Sequence, residues 1–154
     1  MAWFPFFVSL EGASGLLVGG GRVALRKAEK LLRYGPRLTV VAPHICPELE
    51  QLAAASPMEL HRRPFAESDL DGELTFVIAA TGDRELNHGI ARLCRRRRLL
   101  VNVVDDLQAC GFLFPALVQR GRLSVGISTG GASPSAAIWL KEAIEGLLPE
   151  DFAG

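Results

Sequence analysis

The sequence is poor in cysteine: 154 residues hold three, Cys46, Cys94 and Cys110. They lie too far apart for CxxC chemistry, and their odd number argues against a complete disulfide framework, so a reducing, cytoplasmic setting is expected. Charge of one sign is missing too. Seventeen basic side chains balance seventeen acidic ones, which excludes a chain-wide basic grip on nucleic acid. No apolar run is long enough to cross a bilayer. The stretch from Met1 to Leu10 has no basic region before it and is cut off by Glu11, so it reads as the start of the fold, neither a signal nor a membrane segment. His44, His61, His88 and the cysteines offer no compact zinc spacing, and no permanent metal is expected. Repeats and low-complexity tracts are lacking as well. What remains is 49% apolar and 22% charged, the composition of a folded chain, and a chain of this length buries roughly 70% of its unfolded surface.

Hydrophobic patterning predicts an alternating α/β order. The apolar run 15–18 meets Gly19-Gly20-Gly21, as a buried parallel strand meets a tight turn. Val23, Leu25, Ala28, Leu31 and Leu32 give a helical stripe over 23–34 that Gly35-Pro36 stops, and Leu38 to Val41 is the next strand, closing a βαβ unit. A short helix is predicted over 48–55, a brief strand at His61-Arg62-Arg63, a strand over 74–80, a helix over 86–97 and a strand over 99–104. Beyond Cys110 the pattern changes. Strand-like runs 112–118 and 123–127 flank a turn at Gln119 to Arg122, and Ser133-Pro134 starts a helix over 135–148 that Pro149 closes. The expected fold is a Rossmann-like parallel sheet over residues 1–111, followed by a strand hairpin and helix subregion over 112–154.

Gly19-Gly20-Gly21-Arg22-Val23-Ala24 has the form GxGxxA between predicted strand and helix. There, small residues allow a tight turn and close approach of a dinucleotide pyrophosphate to backbone donors at the positive end of the helix. The ribose-binding acid usual at the end of the second strand is missing, since Val41 is followed by Ala42, Pro43 and His44. Arg22 reads equally as a partner of a 2′-phosphate and as a solvated charge at the helix start. Asp105-Asp106 after the last strand reads as a turn-forming pair or as a functional carboxylate. Arg95 to Arg98 reads as a solvated helix end, where positive charge suits the dipole.

Phe4-Pro5-Phe6-Phe7, Gly19 to Lys27, Ile78-Ala79-Ala80-Thr81, Asn102-Val103-Val104-Asp105-Asp106, Phe114-Pro115-Ala116, Arg120-Gly121 and Ser128 to Pro134 together resemble the precorrin-2 dehydrogenase family, the dehydrogenase module of siroheme synthase. The resemblance spans nearly the whole chain in order. It implies oxidation of precorrin-2 to sirohydrochlorin with NAD, and in some members insertion of ferrous iron. By resemblance, Asp105 is the functional carboxylate, a proton acceptor that would also serve transient iron delivery; Asp106 is a weaker candidate. Gly19 and Gly21 cradle the cofactor, Arg22, Val23, Pro43 and His44 contact it, and Thr81 lies near it at a strand end. Ser128, Thr129 and Gly130 match the segment near the tetrapyrrole, whose carboxylates their hydroxyls and backbone N–H groups would receive. Arg120, with Arg122 and Lys141, is a basic group by which a polyanionic macrocycle would be guided. The resemblance also implies a homodimer built on the C-terminal strands and helix, with no nucleic-acid or membrane partner. A dinucleotide-sensing or tetrapyrrole-delivery domain without turnover is the alternative reading.

Overall fold

The computed structural model describes residues 3–149, which divide into two compact units: Val8–Phe112, and residues 3–7 together with 113–149. The larger unit is built on a five-stranded, all-parallel sheet in the order β3-β2-β1-β4-β5, from β1 (Ser14–Val18), β2 (Arg37–Val41), β3 (Met58–His61), β4 (Phe76–Ala79) and β5 (Leu100–Val103). Buried strands of this kind need continuous apolar runs, and β4, FVIA, is buried at every position.

Helix α1 (Arg22–Leu32) joins β1 to β2, α2 (Pro47–Ala54) joins β2 to β3, and α3 (Arg84–Arg96) joins β4 to β5. The first two crossovers step one way across the sheet and the third steps the other way. Right-handed connections therefore put α3 on the opposite face from α1 and α2. The core lies between these layers. Leu17, Val40, Val77 and Ile78 of the sheet, Leu49 of α2 and Ile90 of α3 are all fully buried, each worth roughly 1.5–3 kcal/mol. Ala24 and Ala28, also fully buried, let α1 lie close to the sheet.

From β3 at one edge the chain returns through a short 3₁₀ helix, Glu67–Leu70, to place β4 beside β1. Strand order thus reverses between β1 and β4, and the crevice outside the carboxyl ends at such a point is where open α/β sheets bind ligands. Arg63 fixes the returning segment by a two-pronged pair with Asp69, at 2.5 and 2.9 Å.

The brief strand expected at His61 to Arg63 forms three residues earlier. Its ladder pairs Leu38 with Met58 and Val41 with His61, which buries Met58 and frees Arg62 to bond Glu50 of α2. In the smaller unit, β6 (Ala116–Arg120) and β7 (Leu123–Ile127) form an antiparallel pair, followed by α4 (Pro134–Leu147). The strand predicted over 112–118 begins four residues later, because Phe112 is tied to β5, its N–H bonding the Val101 carbonyl and its own carbonyl accepting from Asn102. The turn shrinks to Gly121-Arg122. Gln119 and Arg120 stay in the ladder opposite Ser124 and Leu123, with Gly121 at φ +51° supplying the positive φ that a tight hairpin needs at its first central residue.

Candidate active site at the glycine turn

Each glycine of Gly19-Gly20-Gly21 meets a different constraint. Gly19 has φ +126°, and a Cβ there would collide with the Ala80 carbonyl; a Cβ on Gly20 would collide with the carbonyl of His44. The turn is thereby pinned between the ends of β4 and β2, and hydrogen bonds from Gly19 N–H to the Val41 carbonyl at 3.0 Å and from Cys46 N–H to the Gly20 carbonyl at 2.8 Å hold it there. Gly21 differs, because a Cβ would meet nothing within 4 Å. Its freedom from a side chain serves the open side of the turn.

That side faces the start of α1. Gly21 is the N-cap and contributes no capping side chain, and the first turn of α1 holds no acid. The leading N–H groups of the helix and its positive dipole end are left for an anion. The contrast with the other described helices is direct. The Asp83 carboxylate accepts from Glu85 and Leu86 N–H at the start of α3, Ser133 Oγ accepts from Ala136 N–H at the start of α4, and α2 carries Glu48 and Glu50 in its first turn.

A cavity of about 880 Å³ opens at this point. It is lined by Gly19, Gly21, Arg22 and Val23 from the turn, Pro43 and His44 from the loop after β2, Thr81 after β4, and Asp105 after β5. The eight positions predicted in the larger unit to bind cofactor or act as the functional carboxylate therefore share one space, while the weaker candidate Asp106 is not among its lining residues. Ile45, Phe65 and Leu86 add apolar walls that no motif announced. Asp105 is the sole carboxylate among the described lining residues, so the end of β2 brings Pro43 and His44 to the cavity and no acid. Thr81 is spent on structure: its hydroxyl donates to Asn87 Oδ1 at 2.7 Å and accepts from Asp83 N–H at 3.1 Å, which anchors α3 to the crevice.

Asp105 is exposed and holds φ +60°, a left-handed conformation uncommon for a residue with a Cβ. A dense set of bonds surrounds it. Asp106 Oδ1 accepts from Gln108 and Ala109 N–H, capping the short 3₁₀ helix Leu107–Ala109, while Oδ2 lies 2.6 Å from His88 Nε2 on α3. His88 first, then these backbone donors, hold the Asp106 carboxyl below the usual carboxylate range. The two acids thus have different work: Asp106 is occupied by the fold, and Asp105 faces the cavity. Behind them the Cys110 thiol accepts from Val103 N–H at 3.2 Å and bonds the Asp106 carbonyl at 3.2 Å, and burial pushes it up from the ordinary thiol value. Buried Asn102 donates to the Phe112 carbonyl at 3.0 Å and accepts from Lys27 Nζ at 3.3 Å. Burial brings the Lys27 ammonium down to about 8.

The basic run Arg95 to Arg98 is more engaged than its expected role as a solvated helix end. Arg97 pairs with Asp71 at 2.5 Å and Glu67 at 3.1 Å, and Arg95 donates to the Gln108 carbonyl at 2.9 Å. Arg98, at φ +59°, ends the helical path.

In the smaller unit, Thr129 Oγ1 accepts from Ser133 N–H and donates to the Ser133 carbonyl, both at 3.1 Å, so this hydroxyl builds the lead into α4. Ser128 is exposed, and its Oγ accepts from Gly130 N–H at 3.2 Å. Arg120 is not brought to these residues. It pairs with Leu123 at the hairpin turn, whereas Ser128 follows Ile127 at the opposite end of the ladder, roughly 17 Å away along the strand.

Residues 6–116 match the model of a family described as "Putative NAD(P)-binding". The siroheme synthase of Photorhabdus laumondii is 47% identical over 152 residues, covering 99% of this chain and 32% of that protein. The siroheme synthase of Thioalkalivibrio sulfidiphilus is 44% identical over 152 residues, again 99% of this chain and 31% of its own length. The chain thus spans about a third of the length of the curated relatives it matches. Among solved structures, that of SirC, precorrin-2 dehydrogenase, superposes with a TM-score of 0.80 at 32% identity, covering 96% of this chain and 72% of SirC.

The chain belongs to the precorrin-2 dehydrogenase family. Membership bears out the family resemblance and the α/β fold read from the sequence. No helix of the described residues is long and apolar enough to cross a membrane. Within the precorrin-2 dehydrogenase frame, the residues missed by motif reading are those behind the site: Lys27, His88, Asn102 and Cys110. Two of them sit inside motifs that were read for other reasons, Lys27 closing the glycine-turn motif and Asn102 opening Asn102-Val103-Val104.

Proposed function

We propose that this chain oxidises precorrin-2 to sirohydrochlorin with NAD in siroheme biosynthesis. One observation carries the reading: Asp105, the only carboxylate among the described residues lining the cavity, shares that space with the uncapped start of α1. The residues present fit a dinucleotide. Gly21 leaves room for a pyrophosphate against free helix N–H groups, and Pro43 and His44 border the space where an adenosine ribose would lie. Bound NAD supplies a hydride acceptor.

Forming the new conjugated double bond removes two electrons and two hydrogens from the macrocycle, one as hydride and one as a proton. The hydride would pass to bound NAD, giving NADH, and Asp105 would take the proton and pass it to solvent, so that precorrin-2 and NAD would give sirohydrochlorin, NADH and H⁺. Asp105 suits this because its turn holds it in a fixed backbone conformation with the side chain exposed to the cavity. Arg22, Val23, Pro43 and His44 bind the cofactor in this reading, Thr81 shapes the strand end beside it, and Ser128, Gly130 and Arg120 are the smaller unit's groups offered to substrate carboxylates, Thr129 shaping the turn that presents them. Iron insertion by the same carboxylate, acting as acceptor for macrocycle nitrogen protons, is a further step of the proposal, as is a homodimer.

The test is anaerobic incubation with precorrin-2 and either NAD or NADP, followed by ferrous iron. Stoichiometric NADH and sirohydrochlorin are expected, with the later iron step read separately from the spectrum of siroheme. Tight binding of precorrin-2 and NAD with no NADH formed would refute the reading in favour of a delivery domain.

A further inference from the structure

We propose that Lys27 is a positioning residue that ties the nucleotide-binding helix to the Asp105 turn, so that seating a dinucleotide at the start of α1 stiffens the strand end that presents the carboxylate. The inference rests on the reading of Asp105 and α1 given above.

The connection is continuous. Lys27 lies five residues after Arg22, one and a half turns into the helix whose first N–H groups face the cavity. Its ammonium donates to Asn102 Oδ1 at 3.3 Å, across the sheet on β5. The Asn102 amide nitrogen donates in turn to the Phe112 carbonyl at 3.0 Å and lies 3.5 Å from Cys110 Sγ. That sulfur bonds the backbone of Val103 and Asp106, the residues on either side of Val104-Asp105. A half-buried lysine is an expensive choice for a merely structural contact, since removing an ammonium from water costs several kcal/mol unless it is well bonded. A neutral residue would hold the Asn102 oxygen at less cost.

The charge itself has a setting. The titratable and charged groups acting on Lys27 are Lys30 and Arg26 on its own helix, and Cys110 and Asp105 beyond the end of β5. Of the elements packed against α1, β1 has no titratable side chain, β2 contributes only exposed Arg37 bonded to Ser14, and on α2 Glu50 is held by Arg62 while Glu48 is exposed. With burial and two like charges weakening the ammonium, Lys27 becomes neutral above about pH 8. Its hold on Asn102 and its attraction for Asp105 weaken together there.

Two variants read this out: Lys27→Met, which removes both charge and donor, and Lys27→Arg, which keeps a cation at every accessible pH. Hydrogen exchange of residues 103–110 is followed with and without NAD. In the parent, NAD is expected to slow exchange of this segment. In Lys27→Met the segment exchanges about tenfold faster without cofactor and no longer responds to NAD, and Lys27→Arg restores the response. For turnover, the parent loses kcat above about pH 8, and in Lys27→Arg this alkaline limb moves beyond pH 9, with KM for NAD changed less than about threefold. A folded Lys27→Met with unaltered exchange overturns the proposal. Should that variant not fold, an alkaline limb left unmoved in Lys27→Arg overturns it. Because exchange needs no turnover, a parent protein inactive on precorrin-2 would sink the functional reading while the exchange of 103–110 still judged Lys27.

Discussion

Gly20 and Gly21 are neighbours in sequence, yet they meet opposite surroundings: the first is pressed on the His44 carbonyl, the second faces open space. Alanine at the two positions is therefore expected to fail in different ways. Gly20→Ala forces backbone against backbone and should destabilise by about 1–3 kcal/mol, a loss of several degrees in Tm by calorimetry. Gly21→Ala should melt with the parent but bind NAD about tenfold or more weakly in a fluorescence titration, because its methyl occupies the approach of the pyrophosphate. At Asp105 the expectation concerns chemistry. Asp105→Asn keeps the shape of the turn, and asparagine accepts the left-handed φ readily. NAD affinity should hold while kcat for precorrin-2 oxidation falls about 10²- to 10⁴-fold, the usual worth of a positioned base. Unchanged turnover would remove Asp105 from its assigned role.

Individual elements hold the site in place by their ends. The start of α3 depends on the Asp83 side chain, which satisfies two N–H groups, while the Asp83 backbone is bonded through the Thr81 hydroxyl to the end of β4. Asp83→Ala should cost about 1 kcal/mol, seen as a lower urea midpoint. The turn after β5 depends on Asp106. Its carboxyl is held below the ordinary range by His88 and by the N–H groups it caps, so the stability it contributes is fully present above its unfolded value, about 3.9, and is lost as pH falls through the lower folded value. In urea titrations, Asp106→Asn should be less stable than the parent near pH 6, and the gap should narrow as pH falls below the unfolded value. A constant gap across that range would show that the contribution is not ionic.

At the scale of the whole molecule, the outer surface of α4 is the face on which the proposed dimer would form. Trp139 is 65% exposed and Leu147 81%, and Ile138 and Leu140 lie open beside them, a helix surface too apolar to face water alone. Trp139→Glu is expected to shift sedimentation from dimer toward monomer without unfolding the sheet of residues 8–112. An unchanged species would place the apolar surface outside any self-association.

The order of strands and helices was legible because each depends on near neighbours: buried parallel strands need unbroken apolar runs such as Leu16-Leu17-Val18, and α1 needs an apolar stripe at helical spacing. The glycine turn was legible because its geometry admits few residue types, whereas Asp105 was singled out only by family resemblance, its residue type alone fitting a turn equally well. Three things were not. The two 3₁₀ helices are shorter than any period that can be detected. The shift of β3 to Met58–His61 was set by its partner β2, which local pattern does not contain. Lys27, His88, Asn102 and Cys110 act through contacts 7 to 75 residues apart, and nothing in their local sequence announces such pairings.

The sequence by itself determined the alternating α/β order, the cofactor turn and the family, since these rest on spacing and residue type along the chain. Only the tertiary structure decided that Asp105 faces the cavity while Asp106 serves the fold, that Thr81 and Thr129 are committed to helix starts, and that a lysine on α1 reaches the strand end behind the carboxylate. The physical reason is that a side chain's chemistry is fixed by its partners in space, and those partners are chosen by folding.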